Sequence, residues 1–286
     1  MDTFLQVLAF GVLRAGLYAL TSVGLALAVG VVGIVNFAHG EFLMLGAFLG
    51  YWLFVLYHVD PLVALPASAV ALGGLGAVTY HVAIRRVLQA APLNQMLLTF
   101  GLSIALQNLA VVLWTGDNRA APIPYAHLSV ALGSVRVGLP QAVVSALAAL
   151  LTVALYLVLD RTRTGKAMQA VAQDRLGASL VGIEVDDAYR LAFALSAGLA
   201  GMAGTLLVMQ FAVSPYMGLS FTLRSFAILV VAGLGNVRGV LPASVVLGLA
   251  EAFVEYYLPG GTGWSEAVFF VLIFAVLVAR PQGLFR

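Results

Sequence analysis

Long apolar runs recur along the chain with few charges inside them, and each is close to the 17–25 residues that a helix needs to cross a hydrocarbon core of about 30 Å. Nine such runs are read from the pattern: 8–31, 38–57, 62–83, 94–114, 140–159, 189–212, 222–236, 239–257 and 264–280. The seventh and eighth are short, and Gly233, Gly235, Gly239 and Pro242 interrupt what would otherwise be one run, so broken helices are expected there. The predicted fold class is all-α, a polytopic transmembrane helix bundle of about nine spans, forming one domain over residues 1–286.

The polar residues are gathered rather than spread. Asp160 to Asp187 carries nine of the 26 charged residues, which marks a long loop, 160–187, exposed to water. Within it, Met168, Val171, Leu176, Leu180 and Ile183 recur at three- to five-residue intervals, so Gly165 to Val181 is predicted as amphipathic helical pieces. Asp174 is placed to cap the second piece. An amphipathic helix in such a loop can dock into a groove of a soluble partner, or rest on lipid headgroups.

Composition narrows the class. Hydrophobic residues make up 62% of the 286 positions and charged residues 9%, with a mean hydropathy of +1.05; a soluble domain could not cover its surface with so little charge. The net charge of +2 gives no reason to expect nucleic acid, and membrane lipid is the expected surrounding. With no cysteine there are no disulfides, thiolate metal sites or cysteine nucleophiles. Lysine and arginine favour the cytoplasmic side. Placing Arg85, Arg86, Arg161, Arg163, Lys166, Arg175, Arg190, Arg238, Arg280 and Arg286 inside accounts for ten of the fourteen basic residues. That leaves Arg14, Arg119, Arg136 and Arg224 outside or near the outer interface. The amino terminus is then outside, the carboxyl terminus and loop 160–187 are cytoplasmic, and the first run is expected to stay as a span because no small-residue cleavage site follows it.

Several polar groups stand where lipid should exclude them. Asn36, His39 and Glu41, flanked by Gly33 and Gly40, lie at the junction of the first two runs. Unwound backbone at that depth must line a cavity or be buried in protein; the alternative is an interfacial loop with Glu41 in water. Glu251 and Glu255 lie one turn apart beside Tyr256, Tyr257 and Pro259, which reads as an interfacial pair at the outer end of a helix. Ala197/Gly201 and Ala200/Gly204 are spaced for close helix contact. No HExxH metal motif and no GxxxxGK[ST] phosphate loop occurs, so neither a metal, a cofactor nor a catalytic set is expected, and any nucleotide must be bound by another subunit.

Five blocks carry a resemblance: GIVNFAHGEFLMLGAF (Gly33 to Phe48), LLTFGLSIALQNLAVVLW (Leu97 to Trp114), TRTGKAMQAVAQDRLGASLVGI (Thr162 to Ile183), VVAGLGNVRG (Val230 to Gly239) and RPQGLF (Arg280 to Phe285). In this order, over nearly the whole chain, they resemble the permease subunits of ABC importers for branched-chain amino acids, of LivH type. The resemblance implies a type II-like permease fold in the cell inner membrane. It also implies a second related permease subunit, two ATP-binding cassette ATPase subunits and an extracytoplasmic substrate-binding protein as partners. It further implies that Asp174, Arg175, Leu180, Gly182 and Ile183 contact the ATP-binding subunit. Candidate path-lining groups are Asn36, His39, Glu41 and Asn236, with Gln107 and Asn108 as weaker ones. Where the family commonly has Glu-Ala-Ala after the Asp-Arg pair, this chain has Leu176, Gly177 and Ala178, and glycine in a helix costs about 1 kcal/mol relative to alanine. Two rival classes follow from the same pattern. An ion-coupled secondary transporter needs a buried ionisable couple, for which Glu251/Glu255 is a poor fit. An intramembrane enzyme needs an assembled nucleophile and base or metal ligands, which the sequence lacks.

Overall fold

A chain with this much apolar backbone must satisfy its peptide groups internally, and helices are the local way to do so. The computed structural model describes residues 2–133 and 135–285; Arg286, counted above among the inside basic residues, lies outside them. The helices are α1 (Asp2–Val32), α2 (His39–Tyr57), α3 (Pro61–Thr79), α4 (Arg85–Val87), α5 (Pro92–Trp114), α6 (Leu139–Arg161), α7 (Arg163–Gln173), α8 (Arg175–Leu180), α9 (Val185–Leu207), α10 (Met217–Ala232), α11 (Val240–Tyr257) and α12 (Gly261–Ala279). A π-helical turn, Tyr80–Ile84, joins α3 to α4, so Pro61–Val87 runs as one rod. Among the described residues seven helices are long and apolar enough to cross a membrane, and α10 and α12 supply two shorter apolar segments. This is a multi-pass helical membrane protein, and its seven long apolar helices and two shorter ones fall on the nine predicted runs. The expected break falls at Gly233–Gly239, between α10 and α11.

The core is built around α1 and α9. Helix α1 packs against α6, α9, α10 and α11, and α9 packs against α2 and α3. The small-residue faces make these approaches possible: a Cβ on Gly46 would lie 2.2 Å from the Gly201 carbonyl, and one on Gly76 2.5 Å from the Ala197 side chain. Side chains outside these faces, such as Val112 on α5 and Phe274 and Val278 on α12, are exposed apolar groups of the kind a lipid environment accepts.

The loops between the long helices gather at two distinct ends of the bundle. One carries a short hairpin, β1 (Ser129–Leu132) paired antiparallel with β2 (Val135–Gly138). Gln6 at the start of α1 clasps this hairpin, donating to the Arg136 carbonyl at 2.6 Å and accepting from the Arg136 N–H at 2.8 Å. Arg119 pairs with Val213 across two loops at the same end. Tyr125 donates to Asp60 at 2.7 Å, tying the α5–β1 loop to the N-cap of α3; burial and then that carboxylate raise the phenol above its ordinary pKa. The opposite end carries α7, α8, the α10–α11 connection and the carboxyl-terminal segment.

Candidate functional site

Loop 160–187 folds as two short helices, α7 and α8, between the end of α6, which includes Asp160 and Arg161, and the start of α9 at Val185. Thr162 caps α7 by accepting from the Gly165 N–H at 3.0 Å. Asp174 leaves the helical conformation and caps α8 by accepting from the Leu176 N–H at 2.9 Å, the role its position predicts. Helix α8 ends in a Schellman turn: Gly182, at φ +86°, donates to the Ser179 carbonyl and Ile183 donates to the Ala178 carbonyl, both at 3.1 Å. The apolar residues picked out by spacing part at Asp174, where the second predicted piece begins. Met168, Val171 and Ala178 face inward, whereas Leu176, Val181 and Leu180 are 70%, 77% and 79% exposed. A change of helix direction at one residue rotates every later side chain, which a constant helical period does not anticipate. Arg175 is drawn over the Tyr189 ring, 5.6 Å from its centroid.

Two blocks that are far apart in sequence meet behind this loop. The carboxyl-terminal segment lies on the end of α10, where the Leu284 N–H donates to the Val231 carbonyl at 2.9 Å and Asn236 Nδ2 donates to the Phe285 carbonyl at 2.9 Å. Asn236 Oδ1 also accepts from the Gly239 N–H at 3.1 Å, which stabilises the non-helical turn. A cavity of about 380 Å³ opens here; Met168, Gln169 and Gln173 form one wall, Gly235, Asn236 and Arg238 the other, and Leu27 and Gly30 the α1 side. Across its mouth Asp160 accepts from Arg238 at 2.9 Å and from Gln169 Nε2 at 3.0 Å, linking α6, α7 and the α10–α11 connection.

The polar group at the start of α2 sits deeper. Asn36 Oδ1 accepts from the Ala38 N–H at 3.0 Å, Thr99 donates to the Val35 carbonyl at 3.1 Å, and the Gly40 N–H donates to Thr222 at 2.9 Å. Within the unwound segment Ile34, Asn36 and Ala38 are thus buried while Gly33 is exposed, with α5 holding the Val35 carbonyl and α10 the first turn of α2. His39 Nε2 donates to the Thr21 carbonyl at 2.8 Å, about 16 Å along α1 from its last residue. Glu41 is 1% exposed and accepts from Ser103 at 3.0 Å, so it is not in an interfacial loop. Asn36, His39 and Glu41 are therefore each buried near the start of α2 but face different neighbours, while Asn236 lines the cavity behind loop 160–187. Gln107 is half-buried on α5, and Asn108 is exposed there, donating to its own helix at the Ile104 carbonyl.

A second charged group went unrecognised in the sequence. Glu251 is buried rather than interfacial: Tyr18 donates to it, Arg14 lies 3.3 Å away and Arg224 4.0 Å away. Glu255, one turn nearer the hairpin end, is partly exposed and lies 2.8 Å from Arg14. The signal was present as two arginines stranded inside apolar runs, since a cation at that depth requires partners; their sequence separation from Glu251 hid the pairing. Among the described residues no group of three or more His, Cys, Asp or Glu could hold a metal.

Comparison with known proteins gives the family of the chain. A family profile described as "Branched-chain amino acid transport system / permease component" matches residues 7–277. The high-affinity branched-chain amino acid transport system permease protein LivH of Escherichia coli (strain K12) is 31% identical over 299 residues, 98% of this chain and 95% of that protein. BraD, the corresponding permease protein of Pseudomonas aeruginosa, is 30% identical over 294 residues with the same coverage. A probable LivH of Methanocaldococcus jannaschii is 27% identical over 291 residues, 98% of this chain and 91% of that protein. No solved structure matches. With the family profile spanning nearly the whole chain and relatives aligned from end to end, this chain belongs to the permease component family of branched-chain amino acid transport systems.

Proposed function

We propose that this chain is one permease half of an ABC importer that moves branched-chain or related amino acids across the cytoplasmic membrane, driven by separate ATP-binding subunits. In this reading the end that carries loop 160–187 is the coupling end and faces the cytoplasm, so the amino terminus is outside and the carboxyl terminus inside. A second related permease completes the membrane path, and an extracytoplasmic binding protein delivers substrate at the hairpin end. Asp174, Arg175, Leu180, Gly182 and Ile183 form the contact with the ATP-binding subunit, and the whole chain, 1–286, acts as one transmembrane unit around loop 160–187. Asn36, His39, Glu41, Gln107, Asn108 and Asn236 are the polar groups that a moving path would expose.

The observation that carries this reading is that α7 is both a face of the docking loop and a wall of the coupling-end cavity. Force applied at Leu176, Leu180 and Val181 is passed through Asp174 to α7, and a shift of α7 against Gly235–Arg238 changes the opening of the cavity. Exposed leucines on a short, well-capped helix suit a knob that enters a soluble partner's groove. A ligand or nucleotide can move such an element only through a difference in interaction energy between the two states.

The test is co-purification from membranes of the wild-type chain and of a Leu176→Asp/Leu180→Asp variant, with the associated ATPase subunits measured. Both leucines are exposed and neither caps a helix, so the variant keeps its own fold, unlike Asp174→Ala, which removes a cap. Association of the wild type and at least tenfold loss in the variant is the expected result. Substrate uptake by the wild-type chain with no ATPase attached would replace the importer reading with an ion-coupled transporter.

A further inference from the structure

At the hairpin end, opposite the coupling loop, a cavity of about 470 Å³ is bordered by Arg14, Tyr18, Arg224, Glu251 and Glu255, with Gln141 and Gln210 beside them. The volume falls within the range of about 300–1,000 Å³ found for small-molecule sites. Gln141 lies in the first turn of α6 just after the hairpin and Gln210 follows α9, so the cavity lies toward the end where the binding protein would sit.

The charges around it are unevenly committed. Arg14 is held between both carboxylates, at 3.3 Å from Glu251 and 2.8 Å from Glu255. Tyr18 and Arg14 occupy Glu251 Oε2. Arg224 is not used up: one terminal nitrogen lies 4.0 Å from Glu251, the other donates to Tyr18 at 3.2 Å, and its buried Nε has no acceptor. Glu255 has only one oxygen engaged by Arg14, and its side chain is 26% exposed. An arginine fork with spare donors is matched to a carboxylate. A carboxylate with a free oxygen is matched to an ammonium.

The four charges sum to zero. Adding a lone anion or a lone cation to such a group would leave an uncompensated charge in a low-dielectric setting, which is costly; a molecule carrying both signs leaves the group neutral. The apolar part of the wall, Leu13, Leu17, Phe211 and Phe221, suits an aliphatic side chain. We propose that this cavity is a transient binding site for a zwitterionic α-amino acid, its carboxylate on Arg224, its ammonium on Glu255 and its side chain against that wall. The inference rests on the importer reading and assigns it an entry site in this chain. Arg14 and Glu251 act as the fixed frame that positions the other two.

The test uses the assembled transporter, purified in detergent without its binding protein, and saturation-transfer NMR to L-leucine at millimolar concentration. Two analogues are compared: 4-methylpentanoate, which lacks the ammonium, and isopentylamine, which lacks the carboxylate. Saturation of leucine at least fivefold above either analogue, with loss of that signal in Glu255→Gln and Arg224→Gln, is the expected result. Equal signals from leucine and the analogues would overturn the site without any variant having to fold. Unchanged leucine signals in both variants would also overturn it, leaving the ion pairs as a structural brace. ATP-dependent leucine uptake into proteoliposomes, with the binding protein supplied, separates the two readings. Uptake without saturation transfer removes the site alone; specific saturation transfer without ATP-dependent uptake removes the importer reading and keeps the site.

Discussion

Gly204 of α9 lies directly against the Leu43 carbonyl of α2: a Cβ at position 204 would stand 1.9 Å from that oxygen and 2.7 Å from the Ala47 nitrogen. Both are backbone atoms, so a rotamer change cannot relieve the overlap. Gly204→Ala is expected to force α2 and α9 apart and destabilise the bundle by about 3 kcal/mol, the upper end of the usual overpacking range. Gly74→Ala on α3, where nothing lies within 4 Å, is the control and is expected to cost nothing measurable. The temperature at which half the detergent-solubilised protein remains monodisperse reads both. A Gly204→Ala chain as stable as Gly74→Ala would mean that α2 and α9 are not in close contact.

Gly218 of α10 leaves room for the Glu41 carboxyl, because a Cβ there would come within 2.6 Å of it. Gly218→Ala is therefore expected to destabilise the chain, and Glu41→Ala is expected to do so separately by leaving Ser103 without its acceptor. Combined, the second change removes the obstacle created by the first, so the double variant should be more stable than the sum of the singles by about 1–3 kcal/mol. The same thermal measurement on the four chains gives the coupling. Simple additivity would show that the carboxyl lies elsewhere in the membrane-embedded protein.

The spans, the break at Gly233–Gly239 and the capping role of Asp174 were legible because each follows from local physics: apolar length, backbone permissiveness and a side chain reaching its own N–H groups. The tight-packing role of Ala197, Gly201 and Gly204 was legible for the same reason, since four-residue spacing alone places them on one face. What escaped was set by helices distant in sequence. Spacing does not tell that Leu176 and Leu180 are exposed while Met168 is buried. Glu251 beside Tyr256 and Tyr257 read as interfacial, yet Arg14 and Arg224, from α1 and α10, close over it. Glu41 likewise gains its burial from Ser103 and Gly218, neither of which its own neighbourhood announces.

The two glutamates of α11 now carry different expectations. Glu251 has a side chain only 2% exposed, and its removal would leave Tyr18 and Arg224 without the carboxylate that both approach. Breaking a buried charge pair from one side costs about 3–5 kcal/mol, and the partial exposure of the two arginines places Glu251→Ala near the lower end of that range. Glu255 is partly solvated, and Arg14 keeps Glu251 when Glu255 is lost, so Glu255→Ala should cost about 1 kcal/mol or less, as exposed pairs do. Raised salt should narrow the Glu255 effect and leave the Glu251 effect nearly unchanged, because only the former pair is reached by solvent ions. Thermal stability of the two variants at low and high ionic strength checks both statements. Equal losses in the two variants would place Glu251 in water after all and would dissolve the frame on which the hairpin-end cavity depends.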